Sequence, residues 1–244
     1  MGLEHQRGSV TTALWGEKDW GGGDGSMRPE TKADAAYREL RRRIVDGSLE
    51  PGSRLDQEML AAALGVSTTP LREALRRLEA ERRVQRAAHR QVVISPLSVR
   101  ELHELYQIRL HLDSLSMQMA AGRADAAVLA DAERHLITPA PDQPHHSLEL
   151  NRAFHRALYS ASGNEALIDI LDWLWDRTDR YRILVAADPS DAEVTAGEHR
   201  ELLSLVAAGK APEAGELMRR HLQRSLDHIA TLLTDDGGPS DGHA

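Results

Sequence analysis

Apolar residues recur at helical spacing along most of this chain, and the pattern is sharpest between residues 60 and 78. A first helix, rich in Ala and Leu, is predicted to end at Gly65, because glycine adopts without strain the left-handed conformation that closes many helices. A second helix is predicted to begin beside Pro70, since proline is tolerated in the first turn of a helix. Its apolar face has the spacing i, i+3, i+4 and i+7: Leu71, Ala74, Leu75 and Leu78.

Two helices joined by a short glycine turn, the second of them basic, are typical of a DNA-binding helix-turn-helix. Three hydroxyl residues precede the second helix and can cap its N-terminus: Ser67, Thr68 and Thr69. Three arginines lie on its polar face: Arg72, Arg76 and Arg77. An ordinary helical hairpin with a solvated arginine face has the same pattern, so this stretch alone leaves both interpretations open.

The segments on either side of this motif predict a winged helix. A helix is predicted over Ala33–Asp46, and Asp56 can cap the first helix of the motif. After the motif, the residues flanking 87–90 can pair as two strands, with Val84 and Val92 pointing inward. Arginines along this two-stranded wing are expected near DNA phosphates, where cations add affinity without sequence information: Arg82, Arg83, Arg86 and Arg90.

Beyond Ser98 every predicted element is a helix. Six helices are predicted, which together form an antiparallel bundle: Val99–Gly122, Asp125–Leu136, Leu148–Ser160, Glu165–Ala186, Ala192–Ala208 and Pro212–Leu233. We therefore predict a mainly α protein. Its winged helix-turn-helix, with three helices and a two-stranded wing, occupies 31–96, and its all-helical domain occupies 97–234. The polar segments 1–30 and 235–244 are predicted to be disordered tails.

Composition excludes several classes of protein. The 244 residues suffice for two domains with their own cores. The absence of cysteine excludes a disulfide framework and a thiolate metal site. No segment approaches the roughly 18 consecutive apolar residues that a membrane-spanning helix needs. We therefore expect a cytoplasmic protein without a membrane partner.

Charge is distributed unevenly along the chain. The net charge of −8 looks unsuited to a polyanion, but residues 34–98 contain 12 Arg against 9 Asp and Glu, a balance of +3. The rest of the chain therefore carries −11. A basic first domain and an acidic second one indicate that only the first contacts nucleic acid.

Three of the twelve histidines fall on helix faces that are predicted to point inward. His155 shares a face with Asn151 one turn earlier, His199 precedes an apolar stripe, and His221 follows Leu217 by one turn. Histidines on three helices can converge in a bundle core, where three imidazoles with an open position accept zinc, nickel or a similar divalent metal. Taken singly, each is more readily explained as a packed core histidine.

Residues 40–81, LRRRIVDGSLEPGSRLDQEMLAAALGVSTTPLREALRRLEAE, resemble the N-terminal domain of GntR-type transcription regulators. The resemblance is carried by Gly47, Pro51-Gly52, Leu55, Leu60-Ala61, Gly65-Val66-Ser67, Thr69-Pro70 and Arg72-Glu73-Ala74-Leu75. It implies a recognition helix over about 68–80 that enters the major groove. The residues expected to contact base edges or phosphates are Arg54, Ser67, Thr68, Thr69, Arg72, Arg76, Arg82 and Arg90.

Three positions depart from the family pattern. The arginine that usually follows Gly-Val-Ser is Thr68, which removes one strong contact to DNA. The glycines usual after the recognition helix and at the wing tip are Arg82 and Gln91, so a wing turn of different shape is expected. The operator sequence typical of the family is therefore not carried over to this chain.

The helical half is similar to the FCD effector domain of the FadR-like branch of this family, over about Leu97–Leu233. That domain has an Asp-x-x-x-His pair on one helix and one His on each of two later helices. The corresponding metal ligands are Asn151, His155, His199 and His221. The neutral amide at 151 leaves a metal its full charge, which favours an anionic ligand. Arg109 and Asn164 also match the pattern and are expected to bind the effector.

Together these features predict a regulator, expected to be a repressor, that binds double-stranded operator DNA as a homodimer. A small organic-acid effector would bind at a divalent metal, with zinc the first choice and nickel or manganese as alternatives. Two other interpretations stay open: a helical half that is a metal-free structural dimeriser, and a metal-dependent hydrolase. The His-Glu-x-x-His arrangement of many such hydrolases is absent, so we expect no enzyme.

Overall fold

The computed structural model describes residues 30–87, 91–136, 143–186 and 188–235. The described residues from Lys32 onward belong to one compact unit. The prediction for Arg90 at the wing tip and those for the two tails fall outside the described residues, except that Glu30 and Asp235, the inner ends of the predicted tails, are described and Asp235 is helical.

Three helices and three short strands form the first domain. In chain order they are α1 (Lys32–Val45), β1 (Arg54–Leu55), α2 (Gln57–Ala63), α3 (Thr68–Ala80), β2 (Val84–Arg86) and β3 (Val92–Ile94). As predicted, Asp56 caps α2: its carboxylate accepts hydrogen bonds from the backbone N–H groups of Glu58 and Met59, at 2.9 and 3.0 Å. The core beneath these elements contains Leu40, Leu71 and Leu78, which are fully buried.

The sheet contains one strand more than predicted. Its order is β1-β3-β2, with both pairs antiparallel. The turn before α2 places β1 beside β3, because the Gly52 N–H donates to the Ile94 carbonyl and the Ile94 N–H donates to the Ser53 carbonyl, both at 2.9 Å. The two-stranded wing therefore extends from a third strand, which ties it to the helical core.

Six helices form the second domain: α4 (Val99–Ala120), α5 (Ala126–Arg134), α6 (Pro144–Ser160), α7 (Glu165–Ala186), α8 (Pro189–Ala207) and α9 (Ala211–Asp235). Helix α4 lies against α9, and the core between them continues to α6 and α7. The prediction of a mainly α chain with a small wing is confirmed. Helices α6 and α8 begin earlier than predicted, since each accommodates a proline in its first turn, Pro144 and Pro189.

One face of α4 differs from the predicted packing. Ile108 and Leu115 share the helical spacing of the buried Leu102 and Leu105, but their exposed fractions are 47% and 43%. Trp173 and Ile170 on α7 are exposed to a similar degree. Ile108 and Trp173 line the same surface depression, so these two exposed apolar residues of α4 and α7 lie near each other.

Three arginines connect the two domains. Arg83 was expected near DNA phosphates, but it is 2% exposed and donates to the Asp176 carbonyl of α7 and to the Glu81 carboxylate. The difference arises because the edge of the wing at Arg83 packs against α7 and does not face solvent. Arg41 of α1 pairs with the Asp176 carboxylate, and Arg180 of α7 donates to the carbonyl of Ser95.

Candidate functional site

Three helices bring three histidines together in the core of the second domain. His155 lies on α6, His199 on α8 and His221 on α9, and all three are buried. One ring nitrogen from each lies within 4.8 Å of the others. The ring of His199 is 4.8 Å from that of His155 and 5.1 Å from that of His221, measured between centroids. The convergence that the sequence pattern predicted is present.

The protein interior favours the neutral form of the three imidazoles. Burial lowers the pKa of each ring, and the charge of neighbouring groups lowers the pKa of His155 and His199 further. Among the described residues, His155 Nδ1 and both nitrogens of His199 have no hydrogen-bond partner. Buried nitrogens without partners are costly and uncommon. Three neutral imidazoles that lie this close fit a divalent metal, which would satisfy their lone pairs.

His221 is held by a carboxylate from α8. Its Nδ1 lies 2.6 Å from Oε2 of Glu198, which also accepts a hydrogen bond from Nη2 of Arg224 at 2.8 Å. Although partial burial raises the pKa of Glu198, the hydrogen bonds from His221 and Arg224 lower it to about 2. An ionised carboxylate on Nδ1 leaves Nε2 of His221 as the lone-pair nitrogen, which is the usual arrangement of a metal-binding histidine.

The position expected to supply a fourth ligand has another partner. Asn151 precedes His155 by one turn of α6 and is buried, but its Oδ1 accepts a hydrogen bond of 2.7 Å from Nη2 of Arg182. The Arg182 guanidinium lies 4.1 Å above the ring of Trp175, which fixes its position.

A small cavity of about 50 Å³ opens beside His221. Its polar lining consists of Ser147, Asn151, Arg182, Thr195, His221, Arg224 and Ser225. Arg182, Arg224 and His221 therefore face this cavity. The carboxylate of Glu198 pairs with Arg224 and offsets its charge.

The two predicted effector residues lie elsewhere. Arg109 is fully buried, where it pairs with Asp113 at 3.0 Å and donates to Thr178 at 3.1 Å. Asn164 caps α7, since its Oδ1 accepts a hydrogen bond of 3.1 Å from the Leu167 N–H. Neither is among the described residues that line the cavity.

The predicted DNA-contacting residues lie on the surface of the first domain. Those within the described chain are all exposed: Arg54, Ser67, Thr68, Thr69, Arg72, Arg76 and Arg82. Arg72 and Arg76 of α3 face a groove that is closed on its other side by Arg86 of the wing. Ser67 takes the N-cap position of α3, although its hydroxyl does not cap the helix. The surface around the recognition helix therefore has the positive charge that a DNA backbone requires.

Sequence reasoning missed three residues of the histidine site: Arg182, Glu198 and Arg224. Glu198 had a weak signal, since it directly precedes a predicted metal ligand. Arg182 and Arg224 had none, because an arginine in an amphipathic helix is normally solvated.

Comparison with known proteins gives the same two domains. Residues 32–94 match the sequence model of the gntR family of bacterial regulatory proteins, and residues 104–224 match that of the FCD domain. The Nta operon transcriptional regulator of Aminobacter aminovorans is 30% identical over 192 residues, which cover 78% of this chain and 90% of that protein. The transcriptional repressor GlaR of Escherichia coli K12 is 29% identical over 211 residues, covering 81% and 95%.

The solved structure of E. coli McbR/YncC has the same fold, with a TM-score of 0.70 at 22% identity over 83% of this chain and 99% of that one. Among the described helices of this chain, none has the length and apolar character to cross a membrane. The matched domains and relatives are regulators of transcription rather than enzymes. The chain therefore belongs to the GntR family of DNA-binding transcription regulators, in the branch with a C-terminal FCD domain.

Proposed function

We propose that this regulator is a repressor whose affinity for its operator is controlled by a small carboxylate bound at a metal ion in the FCD domain. The observation that carries the proposal is the buried cluster of His155, His199 and His221, in which Nδ1 of His155 and both ring nitrogens of His199 have no hydrogen-bond partner in the described part of the chain. The repressor assignment is supported by relatives named as repressors, GlaR and the gluconate operon repressors of two Bacillus species.

The three histidines would hold the metal, with zinc the first choice and nickel or manganese as alternatives. A bound divalent cation supplies a positive Lewis-acid centre for a carboxylate oxygen. The chain itself supplies Glu198, which orients His221, and the polar groups of the adjoining cavity, where the effector would bind.

DNA binding is assigned to α3 and the wing. Thr68, Thr69 and Arg72 lie at the exposed N-terminal end of α3, where a recognition helix contacts bases. Arg54, Ser67, Arg76 and Arg82, together with Arg90 outside the described residues, are assigned to the phosphates. Because DNA is the target, the regulator acts in the cytoplasm.

A homodimer is proposed on the exposed apolar surface of α4 and α7 that contains Ile108, Leu115, Ile170 and Trp173. Burial against a second copy would remove these side chains from water, and two copies would place their recognition helices about 34–36 Å apart on a near-palindromic site. Sedimentation of the purified protein at the mass of a monomer would contradict the dimer.

The test of the proposed function measures metal content and DNA binding on the same samples. We expect about one metal ion per chain in the wild type and a strong loss of metal in His199→Ala. His103→Ala is the matched control, since His103 is an exposed histidine of α4. The wild-type protein is expected to release operator DNA in a panel of organic acids, and the release is expected to disappear after chelation.

Two outcomes would favour the alternatives. Wild-type protein without metal, or His199→Ala with undiminished metal, would leave the FCD domain as a structural dimeriser. Turnover of esters or amides by the metal-loaded protein would favour the hydrolase.

A further inference from the structure

We propose that Arg182 and Asn151 form an anion subsite beside the three histidines, and that the effector is a small dicarboxylate. One carboxylate would bind the metal and the other would bind Arg182. The metal half of this proposal rests on the proposed function, whereas the Arg182 half rests on its own contacts.

Arg182 is a buried cation with unused hydrogen-bonding capacity. It is 7% exposed and faces the cavity from α7. Its Nη2 donates to Asn151, while its Nη1 finds no hydrogen-bond acceptor in the described structure. The carboxylate of Asp179 is 3.9 Å from Nη1, too far for a hydrogen bond. A buried guanidinium with an open N–H group that faces a cavity is suited to bind a carboxylate.

The amide at position 151 is what leaves Arg182 available. A carboxylate there would form a close ion pair with Arg182 and neutralise it, whereas the amide accepts one hydrogen bond and adds no charge. The other arginine of the cavity, Arg224, is already bonded to Glu198 at 2.8 Å. Arg182 is therefore the cavity cation whose charge is least compensated.

The separation of the two positive centres selects the ligand. Asn151 and His155 lie on the same face of α6, and residues four apart on a helix have Cβ atoms about 5–6 Å apart. An anion that reaches both the histidine cluster and Arg182 therefore needs two charged groups separated by a short carbon chain. A monocarboxylate would bind one centre and leave the other unpaired.

The experiment compares two probe classes on the full-length, metal-loaded protein by calorimetric titration. The dicarboxylates are malonate, succinate and glutarate, and the monocarboxylate is butyrate. We expect at least one dicarboxylate to bind more tightly than butyrate by about tenfold or more, as a charge-assisted hydrogen bond predicts. Arg182→Gln is expected to remove this preference while its metal content stays at the wild-type level.

Three further variants separate charge, geometry and folding. Arg156→Gln is the matched control, since Arg156 is an exposed arginine of α6 that pairs with Asp172, and it is expected to keep the preference. Arg182→Lys retains the charge without the planar fork and is expected to keep part of the preference. Asn151→Asp supplies an internal partner for Arg182 and is expected to weaken dicarboxylate binding. If circular dichroism shows that Arg182→Gln is unfolded, Arg182→Lys and Asn151→Asp provide the test instead.

Equal affinity of the wild type for butyrate and for every dicarboxylate would overturn the subsite, as would a preference that survives in Arg182→Gln or in Asn151→Asp. Failure of the metal proposal has a different signature. A protein without metal that still binds a dicarboxylate in an Arg182-dependent manner would refute the metal and support the subsite.

Discussion

Arg82 adopts a left-handed backbone conformation, with a φ of 56°, directly after the recognition helix. The Arg82 N–H donates to the Glu79 carbonyl and the Arg83 N–H to the Leu78 carbonyl, at 2.9 and 2.8 Å, which is the hydrogen-bond pattern of a Schellman cap. Glycine normally occupies this position because a Cβ atom is strained there. Arginine in place of the usual glycine therefore puts a cation on the surface beside the wing and leaves the backbone strained.

Replacing Arg82 with glycine is expected to stabilise the protein. Relief of the left-handed strain, partly offset by the greater freedom of glycine in the unfolded chain, predicts a gain of about 0.5–1 kcal/mol in the free energy of unfolding. Urea denaturation measures this change. Arg82→Ala is the control, since it removes the charge but keeps the Cβ atom, and a similar gain in that variant would contradict the explanation by strain.

The structural role of a residue could be predicted from the sequence where that role depends on residues nearby in the chain. The left-handed Gly65 and the cap by Asp56 were both predicted, because each depends on backbone a few residues away. Arg83 was not, since its burial depends on α7 about ninety residues later. Asn151 was expected at the metal, but the partner of its amide oxygen is on another helix.

At the scale of elements, α4 and α7 are joined by a partly buried polar contact. The Glu101 carboxylate accepts hydrogen bonds from the Tyr181 hydroxyl at 2.6 Å and from the Arg177 guanidinium. Although burial raises the pKa of Glu101, these two hydrogen bonds and the charge of Arg177 lower it overall. The ionised carboxylate is therefore more stable in the folded protein than in the unfolded chain, and it holds the N-terminal half of α4 against α7.

The contribution of Glu101 to stability is expected to depend on pH. Because its pKa is lowered on folding, its contribution is present above the ordinary pKa and is lost as the pH falls through the folded value. Glu101→Gln is expected to lower the free energy of unfolding by about 1–2 kcal/mol at pH 7. The difference from wild type is expected to shrink below about pH 4. Denaturation at several pH values checks this, with Glu104→Gln, an exposed residue of α4, as the control. A difference that is constant with pH would be contrary to the assignment.

The helices themselves were largely predictable, because apolar spacing is a local property of the sequence. Their ends were less so where a proline begins a helix, as at Pro144 and Pro189. The exposure of Ile108 was not predictable, since apolar spacing shows which residues share a helix face but not what packs against that face.

At the scale of the whole molecule, Asp176 of α7 is the centre of the contact between the two domains. Its carboxylate pairs with Arg41 of α1 and with Arg152 of α6, and its backbone carbonyl accepts a hydrogen bond from Arg83. Arg152 also pairs with Asp179, which lies 3.9 Å from Arg182 at the cavity. A chain of ion pairs therefore runs from the cavity to the DNA-binding domain.

Removal of the Asp176 carboxylate is expected to loosen the DNA-binding domain. The ion pairs of Asp176 are about one third exposed, so their loss in Asp176→Ala is expected to cost only about 1 kcal/mol. Amide hydrogen exchange in α1 should accelerate by about fivefold if exchange proceeds by local opening. Asp172→Ala is the matched control, since Asp172 pairs with Arg152 and Arg156 inside the helical domain. Equal acceleration in both variants would argue against a specific domain contact.

The sequence was enough to predict the helical segments, the helix-turn-helix with its basic face, the family and the three histidines of one core. These features are encoded by spacing over a few residues or by motifs that are read position by position. The three-dimensional fold was needed to show that Glu198 orients His221, that Arg182 donates to the amide oxygen of Asn151, and that Arg83 joins the domains. The physical reason is that burial and hydrogen-bond partners depend on side chains from helices far apart in the chain, whose meeting is settled by packing.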